Sequence, residues 1–329
     1  MRSLRVLVGA VLVAGLAACG SSEPAATTQS GPGTTAEKAA APFRTIKHAM
    51  GETVIPAQPK RVVALDQSFV DAVLTLETPV VGYTTYRAID DKLPDYLGPV
   101  LVQYGKEATS VGTLEQPSLE KVMALKPDLI VSAKVRHEAL YDKLSKIAPT
   151  VFSETTGAIW KDNLRLMGQA LGKEDLADAR IKEYEDRAGT IGASIKKKEG
   201  ELPTVSVVRF AGEPTARLYV ENSYSGLVLK DIGFPRPEGQ PSTTETIMVE
   251  ISEERIADVD ADRIFVATYP DPSADGPKAK FTGNPLWGKL KGEKHEVSDL
   301  TWMSAVGIQG AHSMLNDVAG FFGVDPAKA

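Results

Sequence analysis

The sequence predicts an α/β protein of two lobes, each a mostly parallel sheet flanked by helices, joined by a single long interdomain helix. Three observations carry that expectation. Apolar β-type runs alternate with helix-period segments in both halves of the chain, an unbroken helical stretch lies between them, and one short residue pattern recurs at matching offsets in each half.

The length and composition leave room for this design. With 329 residues, 43% hydrophobic and 24% charged, the chain has material for about two ordinary domains and is excluded from the disordered class. The single cysteine, Cys19, excludes a disulfide framework and a Cys-based zinc cluster. Lys and Arg number 37 against 43 Asp and Glu, a net charge of −6, which argues against a general nucleic-acid binder. The four histidines, His48, His137, His295 and His312, are scattered and do not form the clusters that zinc or manganese sites use.

In chain order, Arg2 and Arg5 precede an apolar run over 6–18 that is shorter than the roughly 20 residues a bilayer-spanning helix needs. A basic start, a short apolar core and small residues read as a secretory signal peptide over residues 1–18. Residues 20–42 follow, with 19 of 23 being Gly, Ser, Pro, Thr or Ala, a composition that suits a flexible tether. Without residues 1–18 the balance is 35 basic to 43 acidic residues, a net charge of −8.

From Arg61 the alternation begins. Residues 61–65, 80–83, 128–131 and 150–152 read as strands, and 69–76, 119–125 and 138–147 as helices. Residues 174–198 contain no proline and place Leu176, Ile181, Tyr184, Ile191 and Ile195 three to seven apart, which predicts one amphipathic helix roughly 37 Å long at 1.5 Å per residue. Beyond it, 205–210, 217–220 and 263–267 read as strands and 225–232 as a helix, which makes a second lobe.

The recurring pattern is Ser118, Glu120, Lys121 and Asp128 in the first half and Ser252, Glu254, Arg255 and Asp262 in the second. Serine suits an N-cap, glutamate in a first turn complements the helix dipole, and aspartate suits the turn into a buried strand.

Leu16-Ala17-Ala18-Cys19 resembles the lipobox of bacterial lipoproteins, which implies that Cys19 becomes the lipidated mature N-terminus. The folded part resembles the substrate-binding lipoproteins of ABC importers for iron-siderophores, haem and cobalamin. The residues that carry this likeness are Pro59-Lys60-Arg61-Val62-Val63-Ala64-Leu65-Asp66, Pro79-Val80-Val81-Gly82-Tyr83, Val111-Gly112-Thr113, Pro117-Ser118-Leu119-Glu120-Lys121-Val122, Lys126-Pro127-Asp128-Leu129-Ile130, the run from Tyr141 through Leu144-Ser145-Lys146-Ile147-Ala148-Pro149-Thr150, and near the end Asn284-Pro285-Leu286-Trp287 and Trp302. The resemblance implies two Rossmann-like lobes with the ligand in the cleft between them. It divides the chain into a signal peptide (1–18), a lipidated cysteine and tether (19–42), an N-terminal lobe (43–173), an interdomain helix (174–200) and a C-terminal lobe (201–329).

The same resemblance implies a ferric siderophore as ligand, an ABC permease as partner, a monomer lipid-anchored on the extracytoplasmic face of the cell membrane, and no catalysis or cofactor. Glu120 and Glu254 match the family's permease-docking glutamates, one per lobe. A chelate that brings its own iron needs arginine donors and aromatic faces rather than protein metal ligands. In α/β lobes such groups belong just beyond the carboxyl ends of strands. Arg87 with Tyr83 and Tyr86, Arg136, and Arg209 meet that condition, and Trp302 with Tyr224 and Tyr269 are candidates for an aromatic wall. Trp287 is expected to pack, and Asp66, Gln67 and Ser68 either to cap a helix or to reach the ligand. Aromatic residues beside the arginines incline the expectation toward a hydroxamate siderophore. Haem or cobalamin stays open through an axial Tyr83, Tyr86 or His137. A hydrolase is the remaining alternative, but the chain contains no Gly-x-Ser-x-Gly, phosphate loop, His-Glu-x-x-His or dinucleotide fingerprint.

Overall fold

Burial on both faces explains why the inner strands of the first lobe's sheet are largely apolar. In the computed structural model, which describes residues 41–85 and 92–328, an antiparallel hairpin of β1 (Arg44–His48) and β2 (Gly51–Ile55) precedes this sheet. Its five strands are β3 (Val62–Ala64), β4 (Val80–Thr85), β5 (Thr109–Thr113), β6 (Leu129–Ala133) and β7 (Thr150–Ser153), all parallel and ordered β5-β4-β3-β6-β7. Helices α1 (Gln67–Thr75), α2 (Gly98–Tyr104), α3 (Leu119–Ala124), α4 (Lys134–His137), α5 (Tyr141–Leu144) and α6 (Trp160–Leu171) make the crossovers and cover the faces. The signal peptide, Cys19, Tyr86 and Arg87 lie outside the described residues.

The helix expected over 138–147 is broken. His137 takes φ −133° and ψ 26°, outside the helical region, a 3-10 turn covers Glu138–Leu140, and only Tyr141–Leu144 is α-helical. The cause is His137 itself. Its side chain is buried and held at both ends, Nε2 donating to the Leu114 carbonyl and Nδ1 accepting from the Ser132 hydroxyl, both at 2.7 Å.

Helix α7 (Glu174–Glu199) is the long connection, and at 26 residues it spans about 39 Å. Its buried side, Ala177, Ile181, Tyr184, Ala188, Ile191 and Ile195, recurs every three or four residues, as helix packing requires. It packs on α6 of the first lobe and on α8 (Tyr224–Ile232) and α10 (Ile308–Phe322) of the second. At Gly192 the approach to α8 is so close that a Cβ would stand 1.9 Å from the Ile232 carbonyl oxygen. Gly192→Ala is therefore expected to lower unfolding stability by about 1–3 kcal/mol, read from urea denaturation, although alanine is the better helix former.

The second lobe's sheet is ordered β10-β9-β8-β11-β12, with β8 (Val205–Phe210), β9 (Ala216–Tyr219), β10 (Met248–Ile251), β11 (Arg263–Thr268) and β12 (Glu293–Val297). Here β8, β11 and β12 are parallel, while β9 runs antiparallel to both β8 and β10. Five residues separate β8 from β9, too few for a parallel crossover, so the chain must fold back as a hairpin. Helix α9 (Asp275–Gly283) packs on the outer side.

The repeated pattern has a structural counterpart. Asp128 accepts the backbone N–H groups of Lys60 and Arg61 at 2.8 and 2.9 Å, and Asp262 accepts that of Thr204 at 2.8 Å. Each aspartate thus fixes the lead into the first strand of its own sheet. The serines diverge. Ser118 caps α3 by accepting from Lys121 N–H, whereas Ser252 precedes a 3-10 turn without a side-chain cap.

One apolar cluster runs through both lobes and α7, and two smaller ones fill the outer faces of the sheets. The lobes are also bridged by α10, whose first turn packs against α1. Fully buried Asp71 of α1 accepts the backbone N–H groups of Gln309 and Gly310 at 3.1 to 3.2 Å, capping α10 from the opposite lobe. Gln309 Nε2 also donates to Thr75 Oγ1 at 3.0 Å.

Candidate functional site

Both sheets end their parallel strands toward the same cleft, and a cavity of about 390 Å³ lies there, within the usual size range of small-molecule sites. The first lobe contributes Leu114, Val135, Arg136 and residues 155–157. Most of the remaining lining comes from the β8–β9 hairpin, the start of α8 and residues 302–306 of the second.

Arg136 stands on α4, directly after β6. Its Nε donates at 2.9 Å to Asp66, which is only 4% exposed and which also caps α1 by accepting from Ser68 N–H. Of the two roles open to Asp66, it therefore fills the capping one, and it aims Arg136 as well. Arg209 ends β8 and is held more tightly. Asp299 accepts from its Nε and Nη2 at 2.5 and 2.9 Å, Tyr219 accepts from Nη1 at 3.1 Å, and the guanidinium lies 5.3 Å from the centre of the Tyr269 ring. Burial works against its charge, but Tyr219 and Asp299 outweigh this and push its pKa up. A fixed fork of this kind suits bidentate recognition of a carboxylate.

A third guanidinium escaped the sequence reading. Arg217 of β9 lines the cavity and stands directly opposite Arg209 in the antiparallel ladder. Recognising 205–210 and 217–220 as the two arms of a hairpin would have revealed it. Like charges facing one another across a sheet are destabilising unless anions compensate them, and here Asp299 serves Arg209 while Glu213 pairs with Arg217.

The aromatic candidates divide. Tyr224 and Trp302 line the cavity as floor rather than wall, since both are almost fully buried. Tyr224 donates its hydroxyl to the Gly307 carbonyl at 2.7 Å, and burial pushes its pKa well above the usual value, so it remains a donor. Trp302 donates its indole N–H to Asp317 at 2.9 Å and packs against Phe265. Tyr83, expected at the cleft, is not among the lining residues. The strand runs on to Thr85, so Tyr83 lies inside β4 instead of beyond its end, and its side chain is 3% exposed within the core. Trp287 packs between Phe210 and Phe281, as expected. His137 has both ring nitrogens engaged, and burial depresses its pKa, leaving a neutral structural imidazole. Among the described residues no group of three or more His, Cys, Asp or Glu is placed to hold a metal.

Glu120, in the first turn of α3, and Glu254, in the turn after β10, are both solvent-exposed, and among the described residues neither forms a salt bridge.

Two α/β lobes around a cavity lined by arginines, two of them fixed by buried carboxylates, define a substrate-binding protein. The model of the periplasmic binding protein family matches residues 62–296, and the chain belongs to that family, whose members are binding proteins, not enzymes. The chain is 37% identical over 339 residues to the probable siderophore-binding lipoprotein YfiY of Bacillus subtilis, covering 97% of each chain. It is 30% identical to the Fe(3+)-citrate-binding protein YfmC of the same organism, with 84% of each covered. The crystal structure of Staphylococcus aureus SirA complexed with staphyloferrin B matches with a TM-score of 0.77 at 32% identity, covering 86% of this chain and 99% of that one. Among the described residues no helix is long and apolar enough to cross a membrane.

Proposed function

We propose that the protein is a receptor, lipid-anchored through Cys19 on the extracytoplasmic face of the membrane, that captures a ferric siderophore between its lobes and delivers it to an ABC permease. The observation that carries the ligand class is the set of three guanidiniums, Arg136, Arg209 and Arg217, on one 390 Å³ cavity. That lining favours an anionic chelate of the α-hydroxycarboxylate type over the hydroxamate type expected from the aromatic residues, because Trp302 and Tyr224 are packed beneath the cavity and their polar atoms are already engaged. The name of YfmC, an Fe(3+)-citrate-binding protein, agrees with this class. Haem or cobalamin is left without His137 or Tyr83 as an axial donor, since the first has both nitrogens bonded and the second is buried.

The deciding experiment is a tryptophan-fluorescence titration with ferric citrate, a ferric trihydroxamate, a ferric tricatecholate, haem and cobalamin. Trp302 on the cavity floor is the reporter. Saturable quenching by ferric citrate at micromolar concentration is the expected result. Quenching only by haem or cobalamin would remove the siderophore reading altogether.

Docking is proposed for Glu120 and Glu254. Replacing both by alanine is expected to leave ligand affinity within twofold and to lower iron uptake at least about tenfold, since each charge would lose an arginine partner on the permease. Normal uptake by the double variant would refute the docking role.

A further inference from the structure

The three cavity arginines are not held alike. Asp66 and Asp299, the partners of Arg136 and Arg209, are 4% and 3% exposed in their side chains and are each tied to a further group, Ser68 and Ser304 respectively. They are built into the core behind the guanidiniums. Glu213, the partner of Arg217, differs in every respect. It is carried on the five-residue turn between β8 and β9, its side chain is 37% exposed, and it lines the cavity itself. One carboxylate oxygen meets Arg217 and the other is covered without any hydrogen-bond partner. Burial raises its pKa, but the hydrogen bond from Arg217 and the nearby charge of Arg209 outweigh that and keep it an anion.

From this we infer that Glu213 is an exchangeable counter-ion, a carboxylate of the protein's own occupying the guanidinium that the ligand's carboxylate is to take, so that an anionic chelate must displace it and is held less tightly than a free Arg217 would hold it. The inference rests on the carboxylate reading of the cleft given above. Two facing arginines need compensating anions whatever the ligand, and a fixed third aspartate would leave Arg217 nothing to offer. A glutamate on a turn compensates the charge and can swing away. The displaced carboxylate then lies near an anionic ligand, and like charges at close quarters in a partly dry site repel. A neutral chelate has no carboxylate to exchange at Arg217 and leaves the ion pair closed.

The test is Glu213→Gln in the full folded protein, titrated with ferric citrate and with a neutral ferric trihydroxamate. Glutamine keeps the shape and an acceptor but removes the competing charge. Ferric citrate is expected to bind about tenfold more tightly to E213Q, with the trihydroxamate changed by less than twofold, and the gain is expected to vanish when Arg217→Ala is added. Wild-type binding of ferric citrate with equal or weaker binding by E213Q overturns the exchange role while leaving the carboxylate reading intact. Wild-type binding of the trihydroxamate alone overturns the carboxylate reading. In that case the exchange role survives only if E213Q acquires ferric citrate binding, and falls if it does not.

Discussion

Arg209→Ala is expected to weaken capture of ferric citrate at least about tenfold, as loss of a charge-assisted contact does, and also to destabilise the fold by about 3–5 kcal/mol. The second effect follows from what the arginine leaves behind. Asp299 is 3% exposed and takes two of its hydrogen bonds from this guanidinium, so the variant retains a buried, largely unpaired carboxylate. The two effects are separable. Arg209→Met combined with Asp299→Leu removes both charges, and is expected to recover most of the lost stability in urea denaturation while ferric citrate binding stays weak. Binding that recovers with stability would mean that Arg209 supports the cleft without meeting the ligand.

The second large effect lies at the bridge between the lobes. Burial pushes the Asp71 carboxyl up to about 7, against the opposing pull of the Gln309 and Gly310 N–H groups. The folded protein therefore keeps a proton that the unfolded chain, at the ordinary value of 3.8, gives up, and this group makes stability fall as pH rises from about 4 to about 7. His312 does the reverse. Burial, aided by the adjacent Arg187 cation, depresses its pKa to about 4, so its contribution is fully present above 6.5 and is lost as pH falls toward 4. Over two and a half pH units each slope amounts to about 3 kcal/mol, and the two nearly cancel. Asp71→Asn is expected to unmask the histidine, giving a protein that loses about 2 kcal/mol relative to wild type as pH is lowered from 6.5 to 4.5. His312→Gln is expected to produce the opposite tilt. Urea denaturation at pH 4.5, 5.5 and 6.5 reads both, and parallel pH profiles for all three proteins would refute the compensation.

Much of this architecture was legible because it depends on local pattern. The strands at 62–64, 129–133 and 263–268 are apolar on both faces, and α7 has an uninterrupted helical period. What could not be read depends on contacts distant in sequence. The break at His137 comes from a bond to Leu114, and the antiparallel edge of the second sheet comes from a turn whose partner strands looked like any others. Helix α10 carries Gly310, a poor helix former. The reason is visible only in three dimensions, where a Cβ would lie 2.4 Å from Ala305 and 2.8 Å from the Tyr224 hydroxyl. At the site, Arg136 and Arg209 follow from the rule that ligands meet the carboxyl ends of strands. Arg217 and Glu213 do not, because their meaning lies in the pairing of β8 with β9.

The cap that Asp71 places on α10 joins residue 71 to residues 309 and 310. A ribosome or a secretion channel delivers those groups far apart in time. Until residues 309 and 310 emerge, α1 lacks its contacts with α10 and Asp71 keeps only its hydrogen bond from Thr75, so this side of the first lobe is completed late. A chain cut short before α10 is expected to lack this cap and to be cleaved by protease faster than the full chain.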